Sequence, residues 1–94
     1  MPYIHFAWDQ KKNLTNIQKH NVSFEDARTA FYDPNAKIIY DPEHSHDEDR
    51  FILLGLNRAV KLLVVCHYYN EKNETIRIIS ARKANKKESM QYGG

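Results

Sequence analysis

Lys61-Leu-Leu-Val-Val-Cys-His-Tyr-Tyr69, the polar link Asn70-Glu-Lys-Asn-Glu74 and the run Thr75-Ile-Arg-Ile-Ile-Ser-Ala81 decide the fold. Branched and aromatic residues fill both flanking runs, which is the composition of strands, and the link is short enough for an antiparallel hairpin. Within the first run Leu63, Val65, His67 and Tyr69 alternate with Leu62, Val64, Cys66 and Tyr68. Both sets are largely apolar, so this strand belongs in the middle of a sheet. The sheet's second face is then a concave surface rather than a fully wetted one.

Working outward, Arg50 to Leu56 reads as a strand joined to Lys61 through Asn57-Arg-Ala-Val60, and Ala36 to Tyr40 reads as another. Tyr3 to Trp8 is a short first strand. Asp9 caps a helix running to about His20. On it Leu14, Ile17 and Asn21 share one face and Lys12, Asn16 and Lys19 the opposite one, so a thin apolar stripe covers the margin of the core. Ser23 caps a second helix that buries Phe24, Ala27 and Phe31, and Asp33-Pro34 ends it. A last helix, about Asn85 to Tyr92, sets Glu88 and Tyr92 on one face. The order β-α-α-β-β-β-β-α predicts an α+β fold, an antiparallel sheet of four to five strands with helices on one face, in one domain over residues 1–94.

Composition narrows the function. Apolar and aromatic residues make up 41% of the 94 residues, enough for one core. Cys66 is the sole cysteine, so an internal disulfide and a multi-cysteine zinc site are excluded. No stretch is long enough to span a membrane, and Met1-Pro2-Tyr3 lacks the layout of a signal peptide, so a cytoplasmic protein is expected. The formal charge is only +2, but it is unevenly spread. Asp41 to Asp49 holds five carboxylates and no Lys or Arg, whereas Arg77 to Lys87 holds five cations and no carboxylate. One end of the molecule fits phosphates, the other a basic partner.

Arg50, His67, Arg77 and Arg82 each stand in or at the end of a predicted strand, where a charged or titratable side chain needs a reason. Gathered on one surface they suit metal-independent RNA cleavage, in which a ribose 2′-hydroxyl attacks the adjacent phosphorus. Arginines would hold the developing charge and histidine would move the proton. Alternation puts Arg77 and Arg82 on opposite faces, so they converge only if the strand ends or bulges near Ser80. Lys12, Lys83, Lys86 and Lys87 could hold flanking phosphates, and Tyr68, Tyr69 or Tyr92 could stack bases. A rival reading places a divalent metal on His44 and His46 within the acidic loop. No metal or other cofactor is expected on the first reading. The chain has no Gly-rich phosphate loop and no nucleophile elbow.

The run Phe6-x-Trp8-Asp9-x-x-Lys12-x-x-x-Asn16-x-x-Lys19-His20-x-Val22-Ser23-Phe24-Glu25-x-Ala27 resembles the start of the BrnT toxin family. So do Asp41-Pro-x-His44, Arg50-Phe-x-x-x-Gly55, Leu63-Val-Val-x-His67, and Ile76-Arg-Ile-Ile-Ser-Ala-Arg82-x-Ala84 followed by Glu88 and Tyr92. Asn21 stands where that family commonly has glycine. The resemblance implies a RelE-like ribonuclease toxin of a type II toxin–antitoxin pair that arrests translation. It further implies a cognate antitoxin with a ribbon-helix-helix DNA-binding domain, a hetero-oligomer with it, and contact with operator DNA only through it. Lys12, His20, Arg50, His67, Arg77, Arg82 and Tyr92 are the matching candidates for substrate binding or catalysis. Trp8 and Phe24 read as core, and His20 reads as a cap on helix carbonyls ahead of a catalytic group. An alternative from another class is a non-catalytic regulator acting with its DNA-binding partner.

Overall fold

A computed structural model of the chain describes residues 4–93. The elements are β1 (His5–Ala7), α1 (Gln10–His20), α2 (Phe24–Arg28), β2 (Lys37–Tyr40), β3 (Arg50–Leu56), β4 (Leu62–Asn70), β5 (Thr75–Lys83) and α3 (Lys86–Gly93). A 3-10 turn over Thr29–Tyr32 extends α2, and another over Pro42–His44 lies in the acidic loop. The expected start of the first strand at Tyr3 lies outside the described residues.

The strands form one sheet in the order β1-β5-β4-β3-β2, with the hairpin pair at its centre. Hairpin chemistry makes β2 to β5 antiparallel throughout, but β1 pairs with β5 in parallel, His5 against Thr75 and Ala7 against Arg77. The sheet is therefore mixed rather than antiparallel. No hairpin joins β1 to β5, so turn geometry places no constraint on their relative direction.

One face of the sheet carries the core. Leu53, Val65 and Ala81 stand opposite one another on β3, β4 and β5, and pack with Val22, Phe24 and Ala27 from the region of α2. Phe24 is a core residue, and the partly buried Trp8 packs on it edge to face at 6.2 Å. Gly55 serves a close approach: a Cβ there would lie 2.9 Å from the Ala30 carbonyl oxygen, where the 3-10 turn crosses β3. The other face carries Leu54 and Val64, both buried yet outside that core cluster. In the same cross-strand row lie Lys37 and Arg82, which hold α3 through the Gln91 carbonyl and Glu88. The third helix thus packs on the second face, so the helices do not all share one side. Ala84 and Asn85 turn the chain back over the sheet, and Asn85 closes a reciprocal capping box with Glu88.

Helix α1 inverts its expected orientation. Leu14 and Ile17 are 55% and 36% exposed, while Asn16 is only 6% exposed. The cause lies in β5, whose outer edge continues past the end of the three-residue β1. There the Asn16 amide donates to the Ala81 carbonyl at 2.7 Å and accepts from the Ala81 N–H at 3.1 Å, as a neighbouring peptide group would. The same amide donates to the Val22 carbonyl at 2.8 Å. Buried backbone must be paired, and that need outranks a thin apolar stripe. Asp9 and Ser23 cap their helices. Asn21 ends α1 at φ 57°, a left-handed position that glycine or asparagine tolerates.

At the opposite edge all four residues of β2 are exposed, Ile38 and Ile39 included.

Candidate active site

Strand register builds the site on the face away from α2 and the core. Arg50 on β3 stands opposite Tyr68 on β4, and Tyr68 opposite Arg77 on β5. The Arg77 guanidinium carbon lies 5.1 Å from the centre of the Tyr68 ring, within cation–π range. At the step from Cys66 to His67 on β4, the partner on β5 jumps from Ser80 to Ile78. Ile79 is therefore the extra residue of a β-bulge. The bulge resets the alternation, so Arg77 and Arg82 fall on the same face. Arg82 stands opposite Val64, two side-chain rows from Tyr68, a separation of about 13 Å at strand spacing.

The acidic loop folds over the Arg50–Tyr68–Arg77 end. Ser45 fastens it to β3: its hydroxyl donates to the Asp41 carbonyl at 2.6 Å and accepts from the Arg50 N–H at 2.8 Å. Glu48 forms an ion pair with Arg77. Asp41 Oδ2 lies 2.9 Å from His44 Nδ1 and 3.7 Å from Arg50 Nε. His44, His46, Asp47, Glu48, Tyr68 and Arg77 line a cleft of about 170 Å³. Burial alone would lower the pKa of Arg50, but interactions with the Cys66 and Tyr68 side chains outweigh it and leave the guanidinium above its ordinary value.

The other expected site residues are dispersed. His67 is 3% exposed and stands on the opposite, core-side face. It lies 4.8 Å edge to face from Phe31 and 6.0 Å from the stacked Phe51 ring, with Nδ1 3.2 Å from the Val65 carbonyl oxygen. Burial lowers its pKa and keeps the imidazole neutral. It does not join the arginines, because the two sides of β4 face different surroundings. Arg82 is engaged by Glu88 through two hydrogen bonds of 2.8 and 2.7 Å. The Arg82 contact, with help from the Asn85 N–H, holds the Glu88 carboxyl down at about 2. Tyr92 donates to Asp33 Oδ2 at 2.6 Å, which makes it an anchor for α3 rather than a free stacking surface. Lys83, Lys86 and Lys87 are exposed, and Lys83, opposite Leu63, lies on the other face of β5 from Arg82. Lys86 and Lys87 occupy the first turn of α3, against the helix dipole. Lys12 and His20 sit on α1, which Asn16 seats on the outer edge of β5, and His20 occupies the last turn where a cation suits the carbonyl end.

Tyr68 as the bridge between two arginines, Glu48 on Arg77 and the His44–Asp41 contact were not read from the sequence. The signal for the last is Asp41-Pro-x-His44, whose proline starts the 3-10 turn that brings positions three apart together. Among the described residues no group of three His, Cys, Asp or Glu side chains is placed to hold a metal ion.

The family described as "Ribonuclease toxin, BrnT, of type II toxin-antitoxin system" matches over residues 8–88. The chain belongs to this family of ribonuclease toxins, for which an antitoxin partner is implied. No curated protein matches the sequence. The fold is similar to the 1.1 Å crystal structure of the Brucella abortus ribonuclease toxin BrnT, with a TM-score of 0.68 at 23% identity. That likeness covers 89% of this chain and 100% of the other. At such identity it speaks for the fold alone. No helix among the described residues is long and apolar enough to cross a membrane.

Proposed function

We propose that the chain is a cytoplasmic endoribonuclease toxin with a RelE-like fold that cuts RNA without a metal and so arrests translation. The observation that carries this reading is the row Arg50–Tyr68–Arg77 across three adjacent strands. Two permanently charged, planar guanidiniums flanking an aromatic ring match a phosphodiester between stacked bases. In the reaction the 2′-oxygen bonds to phosphorus, the bond to the 5′-oxygen breaks, and Arg50 and Arg77 stabilise the phosphorane charge. Arg82 holds α3 in place, and Lys86 and Lys87 extend the electrostatic track for flanking phosphates. His67 belongs to the core in this scheme.

A ribbon-helix-helix antitoxin neutralises the toxin by covering the arginine face, and operator DNA is reached only through that partner. The deciding experiment is induction of Arg77→Ala and Arg50→Ala variants in cells. Both are expected to relieve growth arrest and RNA fragmentation while remaining folded and soluble. Undiminished toxicity of both at equal expression would refute the site. A non-catalytic regulator is the second reading, favoured by the carboxylates that already face Arg77, Arg82 and Arg50. It requires that the unmodified chain, induced alone, leave growth and RNA intact.

A further inference from the structure

The arginine row binds phosphate but cannot accept a proton, since guanidinium remains charged at any working pH. With His67 buried on the core side, the proposed cleavage lacks a base. The cleft over Arg77 holds one. His44 and His46 both line it, together with Tyr68 and Arg77. Among the described residues, only His44 of the two has a carboxylate on a ring nitrogen: Asp41 Oδ2 sits 2.9 Å from Nδ1. Asp41 is only 15% exposed at its side chain and is flanked by Arg50 Nε at 3.7 Å. The loop does not need this carboxylate for closure, because Ser45 and the Asp41 N–H to Arg50 carbonyl bond already fasten it to β3.

We infer that His44 is the general base of the reaction and Asp41 its positioning residue, an assignment that rests on the ribonuclease reading above. With Nδ1–H donated to Asp41, Nε2 is the ring's acceptor. It takes the proton of the 2′-hydroxyl as the 2′-oxygen attacks the phosphorus held by Arg77 and Arg50. The P–O5′ bond breaks, the 5′-oxygen takes a proton from water, and the hydroxide left behind discharges the imidazolium. The products are a 2′,3′-cyclic phosphate and a free 5′-hydroxyl. A carboxylate that orients an imidazole fixes the tautomer and steadies the cation formed in the transition state. His46 lines the same cleft without such a partner and is not required.

The test uses the purified chain with a short single-stranded RNA, following single-turnover cleavage across pH and RNA binding by fluorescence anisotropy. The charged and titratable groups around His44 are Asp41, Glu43, His46, Asp47 and Glu48 in the loop, Arg50 on β3, Tyr68 on β4 and Arg77 on β5. His44→Gln is expected to lower the rate about 100-fold or more with RNA affinity unchanged, and to flatten the acid limb of the pH profile. Asp41→Asn should give a smaller loss, in rate and not in RNA affinity. His46→Gln should leave rate and profile as they were. His44 is exposed, so its replacement leaves thermal unfolding unaltered. Cleavage by His44→Gln at close to the normal rate, with Arg77→Ala inactive, would overturn this inference and leave the arginine reading intact. Full activity in Arg77→Ala and Arg50→Ala, or none in the unmodified chain, would overturn both.

Discussion

Arg77 and Arg82 project from the same face of the sheet although five positions separate them along one strand, because Ile79 is an unpaired extra residue between them. Odd spacings along a regular strand send side chains to opposite sides. One inserted residue reverses that parity for everything beyond it. Without the bulge Arg77 would point into the layer holding Phe31 and His67, where an unpaired guanidinium is costly. With it, Arg77 joins Arg50 and Tyr68.

Glu48 occupies the guanidinium that RNA phosphate would use. Its ion pair with Arg77 is 47% and 41% exposed on the two side chains, and such pairs contribute about 0–1 kcal/mol. Glu48→Gln is therefore expected to tighten RNA binding up to about fivefold at low salt, less as salt rises. Binding that weakens in this variant would show that Arg77 does not contact the strand. The unmodified chain should also lose affinity steeply with salt, in proportion to the phosphates contacted.

Asn16 completes the edge of β5. Replacing it by alanine strands the Ala81 N–H and carbonyl in a buried setting, each worth roughly 1–3 kcal/mol. We expect Asn16→Ala to lower unfolding free energy by about 2 kcal/mol or more in a denaturant titration, whereas Leu14→Ala, at an exposed position, should change it by less than about 0.5 kcal/mol. Equal effects from the two would contradict the observed seating of α1.

Glu88 ties α3 to Arg82, and its carboxyl titrates at about 2 instead of the usual 4.5. A carboxyl whose pKa is depressed by folding stabilises the fold above its unfolded value and loses that contribution as pH falls through the folded one. The window thus runs from about 4.5 down to about 2. The pair is partly exposed, so solvent screening reduces the contribution to about 1 kcal/mol. Glu88→Gln should lack this loss on acidification, and hydrogen exchange should become faster in α3 than in β4. An acid profile unchanged by the substitution would argue against the tether.

His67 is held neutral by burial, below its ordinary value of 6.5. Here the unfolded chain takes up a proton more readily than the folded one. Stability contributed by this group is complete above about 6.5 and declines as pH falls beneath it. His67→Phe should diminish that decline and leave RNA cleavage in place. An inactive but well-folded His67→Phe would return this residue to the site.

Much of the scaffold is legible in the sequence. Apolar residues on both sides of Leu62 to Tyr69 marked the central strand, and Asp9 and Ser23 marked two helix starts, because these signals depend on neighbours within a few residues. The direction of β1, the seating of Asn16 and the placement of α3 depend on which backbone groups remain unpaired after the sheet forms, and local pattern carries no record of that. Of the expected site, Arg50 and Arg77 converge and the bulge that alternation required is present. His67 was misplaced because both faces of its strand look alike in sequence. The sequence offers His44 only within a rival metal reading, because its contact with Asp41 depends on the turn at Pro42.

The exposed strand Lys37–Tyr40 has a consequence for handling the isolated chain. Its outer amides and carbonyls are flanked by Ile38 and Ile39, which project on opposite sides. Such a rim offers any extended peptide, another copy included, a template for lateral growth. Concentrated preparations made without a binding companion will therefore tend to clump, and a charged replacement at Ile39 is the simplest remedy.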